Sequence, residues 1–209
     1  KKAAQLGGVY VTSLYEISYN ADGTVAAITP KDGEPQKVKK RIVEDFDKVF
    51  YPENFVVPFI GTVHDRAVVE VLRGCIRGCR FCQAGFLYRP FREKKPDTIC
   101  AETKSLCETT GYEEVSLSSL STSDYSEIET LLGELLDYTQ PRHVNITLPS
   151  LRIDNFSEEL LERVKAVRKS GLTFAPEAGT QRMRDVINKN IDSILNVVRQ
   201  AGQEKETQW

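Results

Sequence analysis

The rhythm of apolar and polar positions changes near residue 65. Before that point the chain is β-rich and broken by turn signals. GVYVTSLYEISY and TVAAIT, within 9–29, flank the turn residues NADG, which predicts a hairpin. PKDGEPQ at 30–36 reads as a loop. VKKRIVEDFDKV at 38–49 is short and charged, with no clear period. YPENFVVPF at 51–59 contains Pro52 and Pro58, so it reads as extended and edge-like. Residues 1–60 are therefore read as an appendage or linker, and 61–209 as the core.

From about residue 65 the pattern alternates between strand and helix. Val68, Val69, Val71 and Leu72 predict an apolar strand ended by Gly74. A cysteine-rich basic loop follows at 74–95. Pro96 suits the first turn of a helix running to Thr110, with Gly111 as its stop. EEVSLSSL at 113–120 predicts a strand. Ser123 or Asp124 is the expected cap of a helix reaching Tyr138, with Ile128, Leu131, Leu132, Leu135 and Leu136 on one face. His143–Leu148 predicts a third strand, and Ser157 opens a helix ended by Gly171. LTFA at 172–175 predicts a fourth strand. Thr180 caps a final helix with Met183, Ile187, Ile191, Ile194 and Val198 in a stripe. Strands separated by helices of this length imply right-handed crossovers and a parallel sheet. The expected fold class is α/β: a partial (βα) barrel of about four parallel βα units, with an N-terminal β-hairpin appendage.

Composition narrows the function classes. At 40% hydrophobic and 28% charged residues the chain is globular, not disordered. Lys+Arg total 28 against 30 Asp+Glu, which excludes a globally basic nucleic-acid binder. There is no run of 18 apolar residues for a membrane helix, and KKAAQLGG lacks the apolar stretch of a secretory signal. The expected location is the cytoplasm, with no membrane partner. The chain begins with Lys, and its only Met is Met183, so a piece of a longer protein is expected.

Cysteine usage points to chemistry. The five cysteines are Cys75, Cys79, Cys82, Cys100 and Cys107, and three fall within eight residues. A secreted disulfide framework would be even and spread out. In a reducing compartment a tight cluster reads as metal or redox chemistry. Thiolates are soft ligands that suit iron–sulfur clusters or zinc, and Gly74 and Gly78 allow the backbone to bend closely round a metal. Three thiolates can hold three corners of a [4Fe-4S] cluster, leaving one iron for substrate. A structural zinc site, with His64 or His143 as fourth ligand, is the alternative. Cys100 and Cys107 lie seven apart on a helix, ~10 Å along its axis, so they cannot pair and read as core thiols.

Cys75-Ile-Arg-Gly-Cys79-Arg-Phe-Cys82, with Phe81 before the last Cys and the loop leaving the first core strand, resembles the radical S-adenosylmethionine superfamily. VHDRAVVEVLRGCIRGCRFCQAGFLYRPFRE, SLSSLSTSDY, LPSLRID and SGLTFAPEAGTQRMRDVIN together resemble one uncharacterised branch, in which the radical domain follows an N-terminal cobalamin-binding-like domain. The resemblance covers about residues 9–190. It implies a radical enzyme in which a [4Fe-4S] cluster on Cys75, Cys79 and Cys82 chelates S-adenosylmethionine and cleaves it reductively. Methylation or methylthiolation is the reaction class among relatives, and cobalamin is implied for the full-length protein.

The resemblance also implies cofactor-binding positions. Phe81 matches the hydrophobic position near the adenine. Ser119, in Ser118-Ser119-Leu120-Ser121, stands where many relatives have a Gly-Gly-Glu contact to the methionine amino group, a pattern this chain lacks. Ser150 and Arg152 lie at the end of strand three, where a guanidinium can clamp a carboxylate. Glu177, in Pro-Glu-Ala-Gly, resembles the ribose-contacting position. The implied partners are an electron donor such as flavodoxin or ferredoxin and an unidentified substrate, RNA among the candidates. Arg73, Arg77, Arg80, Arg89, Arg92, Lys94 and Lys95 face only Glu93 between 73 and 95. That excess reads either as compensation of thiolate charge or as a site for a phosphate-bearing substrate. The rival function classes are a zinc-binding structural or nucleic-acid-binding module, and a scaffold that holds a cluster without using S-adenosylmethionine. A half-barrel ending at LTFA would leave an unpaired edge and expose one side of Val68, Leu72 and Val115, so aggregation is expected when the chain is expressed alone.

Overall fold

The computed structural model describes residues 2–31, 33–152 and 175–191. The chain divides into two compact units, Lys1–Asp45 and Phe46–Trp209. In the first, the β-rich segments pair as an antiparallel hairpin, β1 (Tyr15–Tyr19) with β2 (Val25–Pro30). The turn forms where NADG predicts it. Asn20 N donates to Thr24 O at 2.8 Å, Gly23 takes φ +83, and Asp22 Oδ1 accepts from Thr24 N at 3.0 Å. The Tyr15 hydroxyl donates to Pro35 O at 2.9 Å and ties the following loop to the hairpin.

In the second unit a parallel three-stranded sheet runs in the order β3 (Ala67–Glu70), β6 (Glu114–Ser118), β7 (Asn145–Thr147). Between β3 and β6 lie β4 (Leu72–Arg73), α1 (Gln83–Leu87), β5 (Arg92–Glu93) and α2 (Pro96–Thr110). Between β6 and β7 lies α3 (Ile128–Thr139). Successive strands pairing side by side across helical crossovers make the α/β arrangement of a partial (βα) barrel. Pro96 occupies the first turn of α2, and Gly111 closes it at φ +70, its N–H bonded to Cys107 O at 3.1 Å. Leu131, Leu132, Leu135 and Leu136 of α3 are fully buried with Ile99 and Leu106 of α2 and Val69, Val115, Leu117 and Ile146 of the sheet. Truncating one of these leucines to Ala costs about 2–5 kcal/mol.

Three local expectations change. Ser123 and Asp124 do not cap α3, which begins at Ile128 after a single 3-10 turn at Thr122–Asp124. Their side chains face tertiary partners instead: Ser123 Oγ accepts from Arg152 N at 2.9 Å, and Asp124 meets Arg77. The last described helix, α4 (Gln181–Val186), is capped by Thr180 as expected but stops short of the stripe. Asn188 and Asn190 take φ +55 and +49 and turn the chain, so Ile187 and Ile191 do not continue one helix with Met183. Leu72 and Val115 are buried, and only Val68 has an open face. The helix expected over 157–170, residues 172–174 of LTFA, and Ile194 and Val198 lie outside the described residues.

The cysteine segment is a loop tied at its neck. After β3, Val71 N still bonds Ser118 O at 3.1 Å, and β4 then pairs antiparallel with β5. The neck is closed by Gly74 at φ +94. A Cβ there would stand 2.8 Å from Pro90 O, 2.9 Å from Tyr88 O and 3.0 Å from Phe91 Cα. All three are backbone atoms, so no side chain fits and the two loop ends meet main chain to main chain. Lys94, beside the neck, is 2% exposed; its Nζ lies 2.6 and 2.7 Å from the two Glu102 oxygens of α2 and 4.7 Å from the Tyr51 ring centre. The loop is anchored at its middle by Arg77, whose guanidinium makes a two-pronged bond to buried Asp124, 2.8 Å on the Nε side. Burial opposes ionisation of Asp124. Hydrogen bonds from Arg77 and Ser121 and the Arg77 charge outweigh it, so the carboxyl titrates below its ordinary 3.8.

Two outcomes test this account. Gly74→Ala should lower stability by about 1–3 kcal/mol, since it adds both a strained φ and a backbone collision. Gly133→Ala in α3, where a Cβ meets only open space, should raise it by about 0.5–1 kcal/mol. Denaturant midpoints would show the opposite signs, and equal shifts would refute the neck. Because the Asp124 pKa is lowered on folding, its contribution is complete above 3.8 and disappears as pH falls through the folded-state value. Asp124→Asn should therefore destabilise most near neutrality, with the gap to wild type closing in acid. A gap independent of pH would show that the charge is not what holds the loop.

Candidate metal and cofactor centre

Cys75, Cys79 and Cys82 are free, half-buried thiols on the neck-tied loop, at the C-terminal ends of the parallel strands. Cys79 O accepts from Cys82 N at 3.1 Å, a tight turn that sets the last two cysteines. Cys82 then caps α1: its Sγ accepts from Gly85 N at 3.3 Å. Gly85 is buried, and a Cβ on it would lie 3.5 Å from Cys82 Sγ and 4.0 Å from Cys75 Cβ, so this glycine sits between the first and last cysteines. Burial pushes the Cys75 thiol up. A backbone hydrogen bond from Arg77 works against that, and the nearby Asp124, Cys79 and Cys82 add to it.

Three thiols are soft donors of the type that iron–sulfur clusters take. Among the described residues no three His, Cys, Asp or Glu side chains converge on one point as ligands of a single ion would. His64 and His143 do not join the thiols. His64 Nδ1 lies 2.7 Å from the Arg66 guanidinium just before β3. His143 lines a cavity of about 450 Å³ with Asp65 and Glu113, where β6 and β7 begin. Both therefore lie at the opposite ends of the strands from the cysteine loop.

The other predicted positions fall into two connected groups. Phe81 is exposed, with Lys189 Nζ 5.8 Å from its ring centre, and the same ammonium lies 3.4 Å from Glu177 Oε1. Glu177 takes φ +67. The segment bearing Glu177 and Lys189 rests on the cysteine loop: Arg80 N donates to Ile187 O at 2.9 Å, and Asn188 Nδ2 to Gly78 O at 2.8 Å. The second group surrounds Thr122. Ser119 Oγ lies 2.8 Å from Thr122 Oγ1 and accepts from Ser121 N at 3.1 Å. Ser150, at φ +58, accepts from Thr122 N at 3.3 Å through its carbonyl. Arg152 links the groups. It is buried, and its guanidinium donates to Lys189 O at 3.1 Å and Asn190 O at 3.3 Å.

Lys189, Asn188, Gly85 and Asp124 were not singled out as site residues in the sequence. Asn188 and Asn190 carry a usable signal, since Asn tolerates the left-handed turn that ends α4. Asp124 carries none, because its partner lies 47 residues away. The basic excess of the loop also has a structural account. Arg73 pairs with Glu70, Arg77 with Asp124 and Lys94 with Glu102, while Arg80 donates to Val186 O and Arg92 to Pro90 O. Arg89 stacks on Phe86, 4.4 Å from its ring centre.

Comparison with known proteins identifies the family. The chain is 28% identical over 173 residues to Uncharacterized protein MJ0966 of Methanocaldococcus jannaschii, covering 83% of this chain and 36% of that protein. It is 26% identical over 139 residues to Putative methylthiotransferase MJ0865 of the same organism, covering 60% of this chain and 31% of that protein. The chain thus spans about a third of the length of the curated relatives it matches. The sequence model of the Radical SAM superfamily matches residues 69–205, from β3 through the cysteine loop and the Glu177–Lys189 segment. With that match over more than half of its 209 residues, the chain belongs to the radical SAM superfamily.

Proposed function

We propose that this chain carries the cluster loop and part of the cofactor pocket of an enzyme that cleaves S-adenosylmethionine reductively to begin radical chemistry. The observation that carries the reading is the placement of three free thiols on one neck-tied loop at the C-terminal strand ends, within the superfamily match. When bound, a [4Fe-4S] cluster would supply one electron to S-adenosylmethionine and break a sulfur–carbon bond. Cys75, Cys79 and Cys82 would be its ligands. Gly85, which has no side chain between Cys75 and Cys82, leaves room beside them.

Phe81 offers an exposed ring face for the adenine. Glu177 offers a carboxylate to the ribose hydroxyls, its position set by Lys189. Arg152 acts as a positioning residue: its donors hold the carbonyls of 189 and 190, which fixes Lys189 and through it Glu177. Ser119 and Ser150 shape the neighbouring turn through Thr122. The family needs an electron donor, and flavodoxin or ferredoxin is our candidate. Methylthio transfer is the reaction class that the name of the second relative supports.

Two measurements test this. Anaerobic reconstitution with iron and sulfide should load about one [4Fe-4S] cluster per chain. Cys79→Ala should abolish loading, while Cys100→Ala and Cys107→Ala keep it. Cys100 is a core thiol, pushed up to about 12 by burial and by its contact with Glu134, and unsuited to ligation. Equal iron in all three variants would sink the assignment. In the reduced, loaded protein, S-adenosylmethionine should shift the electron paramagnetic resonance spectrum. Glu177→Gln should weaken that response by about tenfold in ligand concentration, the loss of about 1.4 kcal/mol expected for a charged hydrogen bond, without changing iron content. A spectrum indifferent to excess S-adenosylmethionine would favour a cluster-bearing scaffold.

A further inference from the structure

The first unit holds a basic pocket outside the superfamily match, which begins at residue 69. The cavity is about 350 Å³. Lys37, Lys39, Lys40 and Arg41 line it on one side, and the turn containing Gly7 and Gly8 on the other. Among the described residues that line it none is acidic, although the whole chain has a net charge of -2. Four cations from five consecutive residues are therefore gathered round one concavity.

The glycine turn supplies the complementary chemistry. Val9 N donates to Leu6 O at 3.2 Å, and Gly8 takes φ +87 at the third position of that turn. The amides of Gly7 and Gly8 engage no acceptor among the described residues. A Cβ on Gly8 would stand 2.9 Å from Arg41 Cγ and 3.3 Å from Arg41 N. The missing side chain thus lets the turn and the basic strand approach closely enough to share one concavity. Adjacent main-chain N–H groups beside ammonium and guanidinium charges are the recognition chemistry of a phosphate.

We infer that this pocket binds a phosphate group, carried by a free nucleotide or by a polynucleotide backbone. The test uses the whole chain at low salt with two probes, adenosine monophosphate and a fluorescent single-stranded RNA of ten nucleotides. Binding of either is expected, and which one binds names the source. The double variant Lys37→Gln/Lys39→Gln should weaken the bound probe by about tenfold or more. If the probe is RNA, the slope of log affinity against log salt should fall by about 1.4, at about 0.7 per lost phosphate contact. Gly8→Ala should weaken binding as well, since it pushes Arg41 away. Lys31→Gln, in the same unit but outside the lining, should change affinity less than about twofold. Failure of both probes to bind, or an equal loss in Lys31→Gln, would overturn the proposal.

Discussion

The cysteine loop depends on one buried carboxylate. Asp124 sits in the 3-10 turn after β6, at the C-terminal end of the sheet, and Arg77 reaches it from between the first two cysteines. Ser121 Oγ donates to the same carboxylate at 2.7 Å. A carboxylate removed from water is tolerated only when paired and hydrogen-bonded, so this pairing fixes the loop to the strand end or leaves a buried charge exposed to a large penalty. The neck adds a steric restraint to this electrostatic one. Gly74 allows the two loop ends to pass at main-chain distance, and the β4–β5 pair closes them.

The same logic organises the surrounding cations. A basic loop beside a cluster invites an account in terms of thiolate charge or an anionic substrate. Here Arg73, Arg77 and Lys94 each meet a carboxylate from a different element: β3, the turn after β6, and α2. These pairs fasten the loop and its neck to the core. Arg152 extends the network, with its backbone N on Ser123 and its guanidinium on the turn carrying Lys189. Lys189 in turn lies against Phe81 and Glu177. A chain of polar contacts thus runs from the sheet to the side chains proposed to hold the cofactor.

Much of the fold was legible because it rests on local patterns. The hairpin follows from NADG between β-rich segments, and α2 from Pro96 and Gly111, whose backbone preferences act within a turn. The leucines of α3 repeat at helical spacing, and all four inner ones are buried. The start of α3 was misread because Ser123 and Asp124 are good caps in isolation, yet long-range partners claim their side chains. The stripe after Met183 failed for a related reason. Apolar spacing cannot register that Asn188 and Asn190 turn the backbone and place Asn188 on Gly78.

By itself the sequence determined the chemistry on offer: three cysteines in a short, glycine-punctuated loop after a strand, and the alternating elements of a parallel α/β sheet. Spacing and residue type suffice for that, since ligand softness and strand or helix period are local properties. The tertiary structure decided what each polar group does. It turned Arg152 toward carbonyls, placed Lys189 between Phe81 and Glu177, and set both histidines at the far ends of the strands. Partners separated by tens of residues meet only when the sheet and its crossovers bring them together, and no periodicity along the chain encodes that meeting.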